Sequence, residues 1–250
     1  RHVNLLNIRG YDVSGVDLFH DEEIGIQIYK DISSGLDSGP QMVWLCTPTQ
    51  LHAEQAITII ENGCHLFIEK PIAHRAEHSR KILDAFNRQI QKKLVWCGSN
   101  MRYHPAVLEL KSTIDAGLIG RPLIYRIHYS HWLPNMRPGV DYRSTYAAGA
   151  EGGGIILDDV HDIDLALWMA GPAVKSGGFA YNSGVLQMLS EDVADISIQH
   201  VDGSISQIHM DYIRKDKSRG IEIIGENGTL EWRSRFKPPE QAVIKYFPLG

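Results

Sequence analysis

Two groups of residues in this 250-residue chain carry side chains suited to proton transfer. The first is Glu69-Lys70-Pro71, in which a lysine follows a short apolar run. The second is the series Asp158, His161 and Asp164, in which carboxylate and imidazole groups recur every three residues. An imidazole titrates near neutral pH, and a lysine can donate a hydrogen bond to a reacting oxygen. Together the two groups could take part in proton transfer to or from a bound ligand.

The apolar run before Lys70 is typical of a buried strand. The segment 65–68 is short, β-branched and aromatic, which suits a parallel sheet covered on both faces. Pro71 ends the strand, because proline has no N–H to donate and restricts the residue before it. Lys70 then lies at the carboxyl end of a strand, which is the edge where open α/β sheets bind ligands.

Residues 155–171 are predicted to form one continuous, mostly buried helix that ends at Gly171-Pro172. The three-residue spacing of its polar series predicts that those three side chains share one face. Asp159 and Asp162 are expected to face away from it, where they would be solvated or cap the helix. Asp158 or Asp164 could then orient the ring of His161.

The first hundred residues alternate between short apolar strands and helices. Residues 1–8 are predicted to finish a helix that Gly10 ends. The further strands are predicted at 11–17, 41–46 and 94–98, and the helices at 50–62 and 76–91. This alternation predicts a doubly wound parallel sheet. The chain has no Gly-x-Gly-x-x-Gly motif, and the expected place for one is before residue 1.

The pattern changes after about residue 101, so two domains are predicted, at 1–101 and 102–250. The second begins with a helix at 105–116 and a strand at 122–131, followed by a long polar and aromatic loop at 132–151. Hairpins are predicted at 193–212 and 220–232, in an open antiparallel sheet with one apolar face. The chain is expected to end without closing on an element.

Composition excludes several classes of function. The net charge is −5 and no cluster of basic residues is present, which argues against a nucleic-acid partner. No apolar run approaches the ~20 residues of a membrane span. Cys46, Cys64 and Cys97 are widely spaced, and they indicate reduced core thiols of a cytoplasmic protein rather than a disulfide framework or a zinc site.

These motifs, taken in order, resemble those of the glucose–fructose oxidoreductase and myo-inositol dehydrogenase (Gfo/Idh/MocA) family. The resemblance spans nearly the whole chain. The matching pieces are Thr47-Pro48 with His52, Glu69-Lys70-Pro71, residues 100–105, residues 152–171 and the turn at 225–230.

The resemblance implies a Rossmann domain without its first strand and glycine loop, followed by an α+β domain with an open antiparallel sheet that lacks its C-terminal part. It implies NAD(P)-dependent hydride transfer at a CH–OH carbon of a sugar, polyol or nucleotide-sugar. The catalytic positions are occupied by Lys70, Asp158 and His161. The cofactor side comprises Asp17, Thr47, Pro48, His52, Glu69, Lys70 and Pro71. The substrate side comprises Tyr103, Arg137, Tyr142 and Asp164.

One departure from the family is that its usual aspartate lies four residues before the histidine. Leu157 holds that place here, and Asp158 lies three before His161. No metal is expected, because Asp158 and His161 lack further ligands at suitable spacing. The alternative to an active enzyme is a catalytically incompetent fragment, or a regulatory or binding homologue, since no glycine loop is present to cradle a pyrophosphate.

Three further expectations follow. Asp17 ends a predicted strand, where an acid accepts hydrogen bonds from the adenosine ribose, so NAD is expected, with NADP as the alternative. The open sheet and the family resemblance together predict a homodimer or homotetramer. The peptide between Lys70 and Pro71 is a candidate for the cis form.

Overall fold

A computed structural model describes residues 2–17, 25–234 and 243–249 of the chain. The described residues divide into two compact units, which meet in the sequence between Cys97 and Gly98. Across these three described ranges, every helix is too short or too polar to cross a membrane.

The first unit alternates helices and parallel strands. Its elements are α1 (His2–Ile8), β1 (Gly15–Val16), β2 (Ile28–Tyr29), α2 (Ile32–Asp37), β3 (Met42–Leu45), α3 (His52–Glu61), β4 (His65–Ile68), α4 (Ala76–Arg88) and β5 (Val95–Cys97). Strand β1 pairs with β2, and β4 lies between β3 and β5, all in parallel. The predicted parallel α/β architecture is therefore confirmed.

The core of the first unit lies between β4 and α3. Leu66 and Ile68 of the strand and Ala56 and Ile59 of the helix are fully buried. These residues recur with the period of a strand and of a helix, which is why the local pattern identified both elements. The strand predicted at 11–17 is shorter than expected, because only two of its residues pair with β2.

The second unit is built on one large mixed sheet. Its elements are α5 (Pro105–Asp115), β6 (Pro122–Trp132), α6 (Ile155–Asp158), α7 (Val160–Ala170), β7 (Ala173–Tyr181), β8 (Val193–His200), β9 (Ile205–Asp211), β10 (Ile213–Gly225), β11 (Gly228–Arg233) and β12 (Val243–Pro248). The strand order is β12-β11-β10-β6-β9-β8-β7. All neighbours are antiparallel except β6 and β9, which are parallel. The predicted mostly antiparallel sheet is confirmed.

One face of this sheet is covered by helices. Ile127 of β6 and Ile208 of β9 are buried in one apolar cluster with Leu110 of α5 and Leu165 of α7. The opposite face of β9 is more polar: Gln207 is exposed, and its side chain accepts a hydrogen bond from Arg126 of β6. The alternation of apolar and polar residues along β9 had predicted this arrangement.

Both edge strands of the sheet were missed by sequence analysis. Strand β12 pairs with β11, so the expectation that the chain ends without closing on an element was wrong. Strand β7 is exposed along its whole length and shows no alternation of apolar residues. Only its pairing with β8 defines it. At Gly178 a Cβ atom would lie 2.1 Å from the carbonyl oxygen of Asp195, so this pairing requires a glycine.

The helix predicted at 155–171 is divided into α6 and α7. The break is at Asp159, whose backbone angles are φ −105° and ψ 34°. Asp159 and Asp162 are 4% and 0% exposed, so the expectation that they are solvated was wrong. Asp159 occupies the N-cap position of α7, but its side chain makes no capping hydrogen bond. Both carboxylates accept hydrogen bonds from the guanidinium of Arg219 on β10, at 3.1 Å for Asp159.

Arg219 is itself nearly buried, with a side chain 11% exposed. Burial opposes its charge, but the carboxylates of Asp162 and Asp159 outweigh burial and raise its pKa. The guanidinium also lies over the ring of Tyr129, at 4.4 Å from the centroid. One strand thus fixes the point at which the helix breaks and α7 begins.

We expect Arg219→Met to destabilise the protein by about 3–5 kcal/mol, because two buried carboxylates lose the cation that pairs with them. The measurement is urea-induced unfolding followed by circular dichroism. Arg214→Met is the matched control, since Arg214 lies on the same strand in an exposed pair with Asp216 and its loss should cost less than about 1 kcal/mol. Equal unfolding midpoints for the two variants would contradict this role of Arg219.

Candidate active site

In the first unit, the predicted cofactor-side residues lie at the carboxyl ends of β3 and β4. Leu45 pairs with Ile68 in the parallel register, and the N–H of Glu69 donates to the Leu45 carbonyl at 2.9 Å. This register brings the residues after β3 beside those after β4. The Lys70–Pro71 peptide is cis, as predicted.

His52 connects the two turns at this edge. It is 1% exposed, and its ring nitrogens lie 2.8 Å from the carbonyl oxygen of Thr47 and 2.9 Å from that of Pro71. These contacts suit His52 to hold the turns that carry Thr47 and Lys70.

A small polar cluster lies beside Glu69. The Nε2 atom of His2 on α1 is 2.8 Å from a Glu69 carboxylate oxygen, and its ring packs against Phe67 with centroids 6.0 Å apart. Cys46 completes the cluster. The expectation that Cys46 is a core thiol was wrong, because the residue is exposed. Desolvation and then the negative charge of Glu69 raise the pKa of its thiol.

Asp17 follows the short strand β1 directly. Its N–H donates to the Tyr29 carbonyl at 3.1 Å, which extends the parallel pairing by one residue and positions the aspartate at the end of the strand. The residue is exposed. Asp17 therefore lies at the end of a strand, as predicted, although that strand is shorter than expected.

In the second unit, Asp158 is held by two tyrosines. One carboxylate oxygen accepts from the hydroxyl of Tyr146 in the long loop, and the other accepts from Tyr212 at 2.8 Å. Burial, followed by the charge of Asp158, raises the pKa of both phenols, so they are proton donors at neutral pH. The two phenols thus orient the Asp158 carboxylate from both of its oxygens.

Tyr212 packs against a buried group of aromatic rings that sequence analysis did not detect. His131 on β6 is 2% exposed and packs edge-on against Tyr212, with centroids 5.1 Å apart, and against Tyr129 at 5.0 Å. Desolvation lowers the pKa of His131 to about 4, so its ring is neutral near pH 7. His131 thus packs behind the tyrosine that binds Asp158 without adding a charge.

Asp164 has a different partner from Asp158. It accepts two hydrogen bonds from the guanidinium of Arg102, at 2.8 Å and 2.5 Å. The same guanidinium lies 5.9 Å from the ring centroid of Trp168 on α7. Asp164 therefore joins α7 to the turn at Asn100–Tyr103. His161, half-buried, lies on the first turn of α7, three residues before Asp164.

The predicted substrate-side residues lie in two places. Arg137 and Tyr142 belong to the long loop, where the Arg137 guanidinium lies 5.6 Å from the ring centroid of Tyr146. The Tyr142 hydroxyl accepts from the N–H of Gln187 at 3.3 Å. Tyr103 is exposed at the end of the turn that Arg102 ties to α7. The loop thus reaches Asp158 through Tyr146.

The structure brings together several of the predicted residues within each unit and adds others to them. Thr47, His52 and Pro71 form one hydrogen-bonded group. Asp158 and Asp164 lie on separate helices, because the break at Asp159 divides the predicted helix into α6 and α7. Sequence analysis missed the partners Arg102, Tyr212 and Arg219. Tyr146 was part of the long aromatic loop, which was the only local signal for it.

Two family models match the chain. Residues 14–98 match an oxidoreductase family with an NAD-binding Rossmann fold, and residues 107–231 match the GFO/IDH/MocA C-terminal domain. A 1,5-anhydro-D-fructose reductase of Ensifer adhaerens is 29% identical over 202 residues, which cover 79% of this chain and 58% of that protein. An NAD(+)-dependent scyllo-inositol 2-dehydrogenase of Bacillus subtilis is 31% identical over 159 residues, 62% of this chain and 43% of that protein.

The fold also matches solved structures. The WlbA dehydrogenase of Bordetella pertussis, solved with NADH and UDP-GlcNAcA, superposes with a TM-score of 0.81 at 20% identity. The match covers 93% of this chain and 73% of that one. The chain spans about half the length of the curated relatives it matches. Because both halves of the chain match models of this family, the chain belongs to the GFO/IDH/MocA family of oxidoreductases.

Proposed function

We propose that this chain takes part in NAD-dependent hydride transfer to or from a CH–OH carbon of a sugar, polyol or nucleotide-sugar. The observation that carries the proposal is the setting of Asp158, a half-buried carboxylate at the predicted catalytic position that accepts hydrogen bonds from Tyr146 and Tyr212. Placing a carboxylate against the buried Tyr212 has a desolvation cost that packing alone does not require. The named relatives act on sugars and inositols, which supports this substrate class.

The residues at the strand ends of the first unit fit a dinucleotide. Asp17 supplies a carboxylate acceptor for a ribose hydroxyl, and Thr47, Pro48 and Glu69 lie at the edge where open α/β sheets bind ligands. NAD would be held there by these residues, with Lys70 and Pro71 beside them. When bound, NAD supplies the nicotinamide ring that accepts or donates the hydride.

The contacts of the second unit favour His161 as the group that accepts the hydroxyl proton. Both carboxylate oxygens of Asp158 already accept phenolic hydrogen bonds from Tyr146 and Tyr212. Asp164 is neutralised by Arg102. An imidazole titrates near neutral pH, so His161 can take up the proton, while Lys70 donates a hydrogen bond to the reacting oxygen.

Lys70→Ala and His161→Ala are each expected to lower kcat by about 10²–10⁴-fold with little change in NADH binding, because each removes a group that acts in the transition state. Turnover is followed by NADH absorbance with inositols, 1,5-anhydro-fructose and UDP-sugars as substrates. Lys81→Ala, at an exposed position of α4, is the control and should retain full activity. NADH binding without turnover of any of these substrates would favour a regulatory or binding homologue instead.

We propose NAD rather than NADP as the cofactor, because the carboxylate of Asp17 would repel a 2′-phosphate. Asp17→Ser is expected to lower the ratio of kcat/KM for NAD to that for NADP by about tenfold or more, which corresponds to ~1.4 kcal/mol. Asp12→Ser, at an exposed acid upstream of β1, is the matched control. An unchanged ratio in Asp17→Ser would show that this carboxylate does not select the cofactor.

We propose that the chain acts in the cytoplasm as a homodimer or homotetramer. Cys46 and Cys64 form no disulfide among the residues that the structure describes, which suits a reducing compartment. The uncovered face of the sheet contains a groove of about 580 Å³ between β7 and β6, lined in part by Phe179, which is 84% exposed. A large exposed aromatic ring in a groove suits burial against a second copy.

Phe179→Glu is expected to convert the oligomer to a monomer, because it would bury a charge between the copies. Sedimentation velocity at micromolar concentration measures this change. Val174→Glu, also on β7 but not among the residues that line the groove, is the control and should keep the oligomer. A monomeric unsubstituted protein would reject the proposed association.

A further inference from the structure

The cluster beside β4 contains three different metal-ligand atoms. They are the Nε2 of His2, the Sγ of Cys46 and a carboxylate oxygen of Glu69, and all lie within 4.8 Å of one another. In a tetrahedral zinc site with metal–ligand bonds of about 2.0–2.3 Å, ligand atoms are separated by roughly 3.5 Å. Small side-chain movements would therefore bring the three atoms to coordination distance.

The backbone explains why these atoms meet. Cys46 follows β3 and Glu69 follows β4, and the hydrogen bond from the Glu69 N–H to Leu45 keeps the two strand ends adjacent. The His2 imidazole comes from α1 and is oriented by its contact with Phe67. Three separate elements thus present one ligand each to the same point, and the site is open to solvent because Cys46 is exposed.

We propose that His2, Cys46 and Glu69 bind a divalent transition-metal ion, with Zn²⁺ as the ion that best suits the ligand set. Imidazole, thiolate and carboxylate are all ligands of Zn²⁺, whereas a thiolate disfavours Mg²⁺ and Ca²⁺. Binding releases the Cys46 thiol proton to solvent, and the ion takes the place of the hydrogen bond between His2 and Glu69. Water fills the fourth position.

The site has a consequence that rests on the proposed function. Cys46 and Glu69 lie at the strand edge where we propose that NAD binds, so the ion and the dinucleotide would compete for Glu69 and the space beside it. The metal ion would therefore act as an inhibitor of cofactor binding. The ion is not assigned any part in the hydride transfer.

The first test is titration of the purified chain with Co²⁺, whose tetrahedral thiolate complexes absorb in the near ultraviolet and visible ranges. We expect a thiolate-to-cobalt band that Zn²⁺ abolishes by displacing the cobalt. The band should disappear in Cys46→Ser and persist in Cys97→Ser, a matched control because Cys97 ends the neighbouring strand β5. Glu69→Gln and His2→Gln should each weaken binding by about tenfold or more.

A second measurement on the unsubstituted protein avoids any effect of the variants on folding. The exposed Cys46 thiol should react with a disulfide reagent, and Zn²⁺ should protect it, with the modified residue identified by mass spectrometry. A cobalt band that survives in Cys46→Ser, or a Cys46 thiol that reacts equally fast with and without Zn²⁺, would overturn the proposal.

The competition is tested by the fluorescence of NADH titrated with and without Zn²⁺. We expect Zn²⁺ to raise the Kd for NADH at least tenfold in the unsubstituted chain and to have no effect in Cys46→Ser. An equal Kd in both conditions would reject the competition. Failure of NADH to bind at all would count against the proposed function, while the cobalt band and thiol protection would still establish the metal site.

Discussion

The placement of α7 depends on a buried charge cluster. Two carboxylates, on Asp159 and Asp162, lie in the core of the second unit, and this is tolerable only because the guanidinium of Arg219 reaches both of them. The cluster fixes the break between α6 and α7. Asp158 consequently ends one helix, while His161 belongs to the next.

The break gives each polar residue of this region its own surroundings. The Asp158 carboxylate accepts hydrogen bonds from Tyr146 of the long loop and from Tyr212, which directly follows β9. Asp164 pairs instead with Arg102. The two carboxylates are thus satisfied by different partners, which supports our proposal that His161 exchanges the proton.

In the first unit, the parallel register of β3 and β4 has a comparable effect. It brings two strand ends side by side, and His52 joins the turns that follow them. The same register explains both the cofactor-side residues and the His2, Cys46 and Glu69 cluster. A single backbone arrangement therefore brings these polar groups together at one edge of the sheet.

The sequence by itself determined what depends on local periodicity. The alternation of strands and helices, the end of β4 at Lys70–Pro71 and the hairpins of the second unit follow from side-chain patterns over 5–15 residues, and the family motifs were recognisable at their spacings. The tertiary structure alone decided which distant groups meet. Arg219 lies about sixty positions after Asp159. Cys46 lies beside His2 of α1, a helix far earlier in the sequence. Periodicity shows which face of an element is apolar, but it does not show which charge from another element will reach a buried polar group. For that reason Asp159, Asp162 and Cys46 were misplaced from sequence, and the exposed strand β7, defined only by its partner, was not detected.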